Sequence, residues 1–278
     1  MKAGVVSRTD LPDAINVIHD ILKVLDDKGF EVCIESETAI AIGSKSSSFD
    51  LGEMNVDFMI VVGGDGSILR TAMLMREPLT PILGVNLGTR GFLTEVYPSE
   101  VSFALDKIKK GDYRAEECYK LSSKIKGADE SLPDAINEVL VASSLPSKVI
   151  DMNVKVEDEN VVNIQADGFI VATPIGSTAY SLSAGGSILA PDLSAMILTA
   201  ICPDSYFHSI VVPSSCRVKI ELVKPRVDAL LIIDGRVHKA LSPGSVVEIW
   251  RSTSKVRFIR FRSFYNRLNR RLQFRHII

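Results

Sequence analysis

The chain has 278 residues, 46% of them hydrophobic and 24% charged, enough for one large core or two modest ones, and this balance argues against disorder. The formal net charge of -2 excludes a surface built as a whole for nucleic acid. No apolar run reaches the membrane-spanning length of about 18 residues.

The opening MKAGVVSRTD turns polar too early for a signal peptide and reads as a first strand, Lys2–Val6. Asp13–Lys28 follows with Ile15, Ile18, Ile21, Leu22 and Leu25 at helical spacing, and Gly29 ends it. Phe30–Ile34 is a second strand, and the polar stretch Ile40–Glu53 reads as loop. Val56–Val62 is nearly continuously apolar, as expected of a strand covered on both faces. A glycine turn and a helix, Ser67–Met75, come next, then a strand in Pro81–Asn86 and a helix from near Ser99 to Lys110. This alternation is that of an α/β domain with a mostly parallel sheet, over residues 1–110.

After Gly111 the texture changes. Strand-like pieces recur at Tyr119–Ile125, Asn137–Ala142, Val149–Val156, Val161–Ala166, Phe169–Ala172, Ser209–Val212, Arg217–Leu222, Ala229–Ile233 and Val246–Trp250. A helix fits only at Ser183–Ala190, so residues 111–254 form a β-rich second domain. The last stretch, 255–278, holds seven arginines and no acidic residue, with apolar residues interleaved. It is either an RNA-binding tail or a folded tail whose arginines meet a surface, an anionic ligand or another subunit, and the interleaving favours the folded reading. The four cysteines, Cys33, Cys118, Cys202 and Cys216, form no CxxC pair and no cluster with the four histidines. A cytosolic protein with reduced thiols and no protein-built metal site is the expectation.

Chemistry concentrates in three glycine clusters. Gly63-Gly64-Asp65-Gly66-Ser67 closes the apolar strand. In an α/β fold the crevice beyond the strand ends binds ligands, glycines admit close approach, and a helix start offers N–H groups to phosphate. Asp65 does not suit a bare phosphate cradle: a carboxylate can hold a ribose, bind Mg²⁺ or take a proton from an attacking alcohol. The plain alternative is a structural turn in which Asp65 caps its helix. The second cluster, Gly84–Gly91, follows another strand, and its Arg90 is either a phosphate partner or a surface ion pair. The third, Asn163–Ile188, is rich in small and hydroxyl residues, and its Gly176–Tyr180 can line a flat polar ligand or simply make a loop. Asn137-Glu138 can read an adenine edge and a ribose, and Asp234-Gly235 suits a hairpin turn.

Taken together these motifs resemble the NAD kinase family. Its Gly-Gly-Asp-Gly-Thr motif stands here as Gly63–Ser67, its Asn-Glu pair as Asn137-Glu138, and its glycine-rich region as Asp167-Gly168 with Thr173–Ser181. The block Gly88–Thr94 and the turn Asp234-Gly235 also match, in the same order. The segment 199–213 departs from the pattern, with Ala200 and Asp204 at the family's Pro and His positions. The resemblance implies a Rossmann-like α/β N-terminal domain, a β-sandwich-like, mostly antiparallel C-terminal domain, and a chain end that returns to the first domain. It implies phosphoryl transfer from ATP or polyphosphate to NAD, with Mg²⁺ carried by the donor. Asp65 becomes the catalytic carboxylate, and Gly63, Gly64 and Arg90 face the donor phosphates. Gly66, Asn137, Glu138, Asp167, Ser177, Thr178, Ala179 and Tyr180 contact NAD. It further implies a cytoplasmic homo-oligomer, dimer or tetramer, with no nucleic-acid or membrane partner. A small-alcohol or lipid kinase sharing the Gly-Gly-Asp-Gly turn, and a non-catalytic dinucleotide sensor, are the competing readings.

Overall fold

The computed structural model describes residues 1–10, 12–44, 48–75, 77–88, 91–223 and 228–273. In chain order the elements are β1 (Lys2–Ser7), α1 (Pro12–Asp27), β2 (Glu31–Glu35), α2 (Ser36–Ala41), β3 (Ser48–Phe49), β4 (Phe58–Gly63), α3 (Asp65–Leu74), β5 (Ile82–Asn86) and α4 (Val101–Lys109). They continue with β6 (Arg114–Ile125), β7 (Glu138–Ser143), β8 (Ile150–Val156), β9 (Glu159–Ala166), β10 (Gly168–Ala172), α5 (Tyr180–Ser183) and β11 (Ala195–Ile201). The chain then forms β12 (Ser209–Pro213), β13 (Val218–Leu222), β14 (Ala229–Ile233), β15 (Val237–Leu241), β16 (Val246–Arg260) and α6 (Phe264–Gln273).

Two compact units result: Met1–Glu117 with Val256–Ile278, and Cys118–Lys255. The breaks fall later than the residues 110/111 and 254/255 expected from sequence. The start of β6 belongs with the first unit because Glu116 and Glu117 are ion-paired to Arg260, Arg267 and Arg257 near the chain's end.

In the first unit the strands run β3-β2-β1-β4-β5 and then the end of β16, every pair parallel. The order reverses between β1 and β4, so the crevice for a ligand opens at the carboxyl ends of those two strands. All six residues of β4 are buried, which is why its sequence alternates nothing. α1 buries Ala14, Ile18, Ile21 and Leu25, spaced by three and four residues, against this sheet. Its three larger aliphatic side chains contribute about 1.5–3 kcal/mol each on burial. Phe30 and Phe58 meet edge to face at 5.7 Å in the same core.

The second unit is antiparallel. The first part of β16 pairs with β13, β13 with β8, and β8 with β9; a six-stranded sheet runs β12-β11-β10-β7-β14-β15. Two local expectations are corrected, and one strand is added. The stretch read as loop from Ile40 holds the end of α2 and the two-residue β3. The helix expected at Ser183–Ala190 is instead the single turn α5, since Gly185 takes φ +91° and a Cβ on Gly186 meets Ser181 Oγ at 2.3 Å. The apolar segment that forms β11 is a central strand, paired on both sides with β10 and β12.

Candidate active site

The turn Gly63–Asp65 sits at the carboxyl end of β4, beside the switch point. Gly63 takes φ +154°, and a Cβ there lies 2.4 Å from Ser67 Oγ, so only glycine lets α3 start directly from the strand. Gly64 is the N-cap of α3, and no side chain caps the helix. Nothing stands within 4 Å of a Cβ built on Gly64, so the turn has open space above its backbone. Gly66, two residues on, is exposed.

Asp65 is half-buried and does not cap its own helix. Its carboxylate reaches the loop after β5: Phe92 N–H donates to Oδ2 at 2.8 Å and Oδ1 at 3.0 Å, and Leu93 N–H to Oδ1 at 2.9 Å. Gly91 makes this approach possible, because a Cβ there lies 3.2 Å from Asp65 Oδ1 and 2.2 Å from Thr94 Oγ1. Gly84 serves the same end from β5, where a Cβ meets Ile68 and the Thr94 backbone within 2.8 Å. The helix-capping alternative for Asp65 is therefore not what the chain builds. The carboxylate is fixed in orientation from a neighbouring loop. Arg90 lies outside the described residues.

In the second unit Asn137 and Glu138 open β7, and both are nearly buried. Their backbone is set by Asp234, in the turn between β14 and β15. Its carboxylate accepts Ile136 N–H at 2.7 Å, Asn137 N–H at 2.8 Å and Glu138 N–H at 3.0 Å. Asp234 and Gly235 both take positive φ, 49° and 65°, which turns the hairpin back onto β7. Sequence alone offered only the Asp-Gly pair as a signal. Burial pushes the Asp234 carboxyl up, against the pull of those three N–H donors and of Lys120. The Lys120 amine, itself buried, is pushed down by burial and steadied by Asp134 and Asp234.

Glu138 carries the largest consequence of this packing. Burial first, and the nearby Asp234 charge second, push its carboxyl up to about 8, although Tyr180 N–H donates to it. Its Oε2 is buried and has no hydrogen-bond partner among the described residues. At neutral pH the group is mostly a neutral acid. It can then donate a hydrogen bond as well as accept one, which suits a hydroxyl-bearing ligand.

Thr173–Tyr180 wraps against Asn137. Thr173 Oγ1 donates to Ile136 O at 2.7 Å and accepts Gly176 N–H at 3.0 Å. A Cβ on Gly176 lies 2.0 Å from Asn137 O, so glycine is required by close approach. Ser177 and Thr178 are 0% and 2% exposed. Their hydroxyls donate to Pro174 O at 2.6 Å and Ile175 O at 2.9 Å, and Ser177 Oγ also accepts Leu189 N–H. In this structure they hold the loop's shape. Ala179 is half-buried and Tyr180 is 44% exposed, so these two give the loop its accessible face. Asp167 is not part of this group. In the β7–β10 ladder Ala172 pairs with Glu138 and Gly168 with Ala142, so Asp167 lies beyond the far end of β10. Five strand residues separate the two ends, a distance of roughly 17 Å.

Among the described residues no three His, Cys, Asp or Glu side chains converge on a metal position. No described helix is long and apolar enough to cross a membrane.

An acidic glycine turn at the switch point of a parallel sheet, with an amide–carboxylate pair on an antiparallel unit, defines a nucleotide-handling class of two-domain protein. Residues 3–113 match the ATP-NAD kinase N-terminal domain and residues 136–261 the ATP-NAD kinase C-terminal domain. The chain belongs to the NAD kinase family. It is 38% identical to the NAD kinase of Thermococcus kodakarensis, over 94% of each chain, and 36% identical to that of Pyrococcus abyssi, over 99% of this chain and 100% of the other. The structure of an NAD kinase from Archaeoglobus fulgidus in complex with ATP superposes with a TM-score of 0.79 at 29% identity, covering 98% and 99% of the two chains. Yeast NADH kinase complexed with NADH shares the fold, with a TM-score of 0.89 at 21% identity over 100% of this chain and 89% of the other.

Proposed function

We propose that the protein phosphorylates NAD to NADP with ATP, transferring the phosphoryl group to the 2′-hydroxyl of the adenosine ribose. The observation that carries this is the Asp65 carboxylate, held by two backbone N–H groups at the start of α3 in an open glycine turn. A neutral alcohol is a weak nucleophile, and a fixed carboxylate orients it and accepts its proton late in the transfer. Gly63 and Gly64 face the donor's phosphates, and Gly66 admits NAD. Mg²⁺ enters with the triphosphate and offsets its charge. Asn137 bonds to adenine, Glu138 to a ribose hydroxyl, and Ala179 and Tyr180 wall the adenosine. Ser177 and Thr178 shape that wall from behind.

Asp167 holds the nicotinamide end in this reading. Asp167 lies beyond the far end of β10, and the protein works in this reading as a homo-oligomer, dimer or tetramer. The scattered free cysteines suit the cytoplasm. Incubation of the purified protein with NAD, ATP and Mg²⁺, read out with an NADP-specific dehydrogenase, tests the assignment. NADP is expected. NAD binding without NADP, from ATP or polyphosphate, overturns it in favour of a sensor.

A further inference from the structure

Among the described residues, the arginine-rich end of the chain buries two guanidinium groups, those of Arg260 and Arg267. Arg260, the last residue of β16, has a side chain only 1% exposed. Its Nε donates to Glu116 Oε2 at 2.8 Å and its Nη1 to Leu93 O at 2.7 Å, with Glu95 Oε2 3.5 Å from Nη1. Leu93 is also the residue whose N–H donates to Asp65 Oδ1. The peptide groups on the two sides of the Leu93 Cα are thus gripped by opposite charges: the guanidinium takes the carbonyl, and the Asp65 carboxylate takes the N–H.

Stability alone accounts poorly for this arrangement. A buried ion cluster is on average no better than apolar residues of the same volume. Arg260 Nη2 and Arg267 Nε, moreover, have no hydrogen-bond partner among the described residues. What the cluster does supply is a fixed backbone. Glu95, fully buried, accepts Phe261 N–H and Arg262 N–H, each at 2.8 Å, and Glu116 takes Arg267 at 3.0 Å as well as Arg260. Arg260 is thereby anchored from two sides, and its fork reaches the loop that orients Asp65.

The geometry points to Arg260 as a positioning residue for phosphoryl transfer, acting through Leu93 to set the Asp65 carboxylate. The inference rests on the NAD kinase reading and adds a residue to it. A lysine at this position keeps the charge between Glu95 and Glu116 but lacks the fork that serves Glu116 and Leu93 O together. Arg260→Lys is expected to lower kcat about tenfold to a hundredfold, the scale of a small misplacement of a reacting group, with KM for NAD and ATP held within about threefold. Ile259→Ala, a neighbouring fully buried change, controls for stability: it lowers Tm and leaves kcat per folded molecule intact. A merely structural Arg260 makes the two variants behave alike.

The assay is steady-state NADP formation at a temperature where wild type and both variants are folded by circular dichroism. Wild-type kcat in Arg260→Lys overturns the positioning role while leaving the kinase reading intact. Absence of NADP with the wild-type protein overturns both. Should Arg260→Lys not fold, Glu116→Gln decides. It loosens the Nε anchor together with the Arg267 contact, leaves the Arg260 guanidinium in place, and is expected to lower kcat in the same direction with KM unchanged, and wild-type kcat there overturns the inference.

Discussion

Replacing Glu138 by glutamine isolates the most unusual electrostatic feature of the molecule. In the folded state its carboxyl titrates at about 8, against an ordinary value of 4.5. Between these values the folded protein keeps a proton that the unfolded chain gives up. Stability is therefore highest at the acid end of the window, falls as pH rises through it, and levels off above about 8. A gap of about 3.5 units at 1.36 kcal/mol each sets a ceiling of about 5 kcal/mol, of which about 3 kcal/mol falls between pH 5 and pH 8. The amide has the shape of the protonated acid and no proton to lose. Glu138→Gln should thus match wild type near pH 5 and exceed it by about 3 kcal/mol at pH 8. Asp234, whose carboxyl is also raised, contributes a slope of the same sign to both proteins. Urea unfolding of each protein at half-unit steps of pH gives the two profiles. Parallel profiles would refute the argument, because they would mean that Glu138 is charged in the folded protein at neutral pH.

Two further substitutions test the halves of the site separately. Asp234→Asn turns one acceptor toward Ile136, Asn137 and Glu138 into a donor, at a cost of about 1–3 kcal/mol for the group left unpaired. Calorimetric titration should show NAD affinity falling by about tenfold or more, with ATP affinity unchanged. Gly64→Ala places a methyl group where no atom stands within 4 Å, at an ordinary φ of -118°. Its Tm should stay at the wild-type value while KM for ATP rises, and an unchanged KM would remove Gly64 from the donor site.

The sequence made some of this architecture readable because the signals are local. The apolar run into Gly63-Gly64-Asp65-Gly66 shows strand, turn and helix without reference to the rest of the chain. The spacing of Ile18, Ile21 and Leu25 does the same for α1. Short elements stayed hidden: α2 has six residues with Ile40 80% exposed, and β3 has two. The segment AMILTAI of β11 carries no alternation, so only its pairing with β10 and β12 reveals a strand. At the site, Asp65 was legible as chemistry, but its partners Phe92 and Leu93 were not. Asp234 acts on residues up to 98 positions away and Arg260 on a carbonyl 167 positions away. No pattern in the neighbouring sequence marks such contacts. Sequence also could not separate Ser177 and Thr178, which are buried, from Ala179 and Tyr180, which are accessible.

The central claim is that Asp65 acts on the reacting hydroxyl. Its direct measurement is single-turnover transfer of the labelled γ-phosphoryl of ATP to NAD by wild type and Asp65→Asn, with NAD affinity measured on the same samples. The account predicts a loss of about 10²–10⁴-fold in the transfer rate, with affinity for NAD changed by no more than about threefold. Transfer at near the wild-type rate in Asp65→Asn would contradict it.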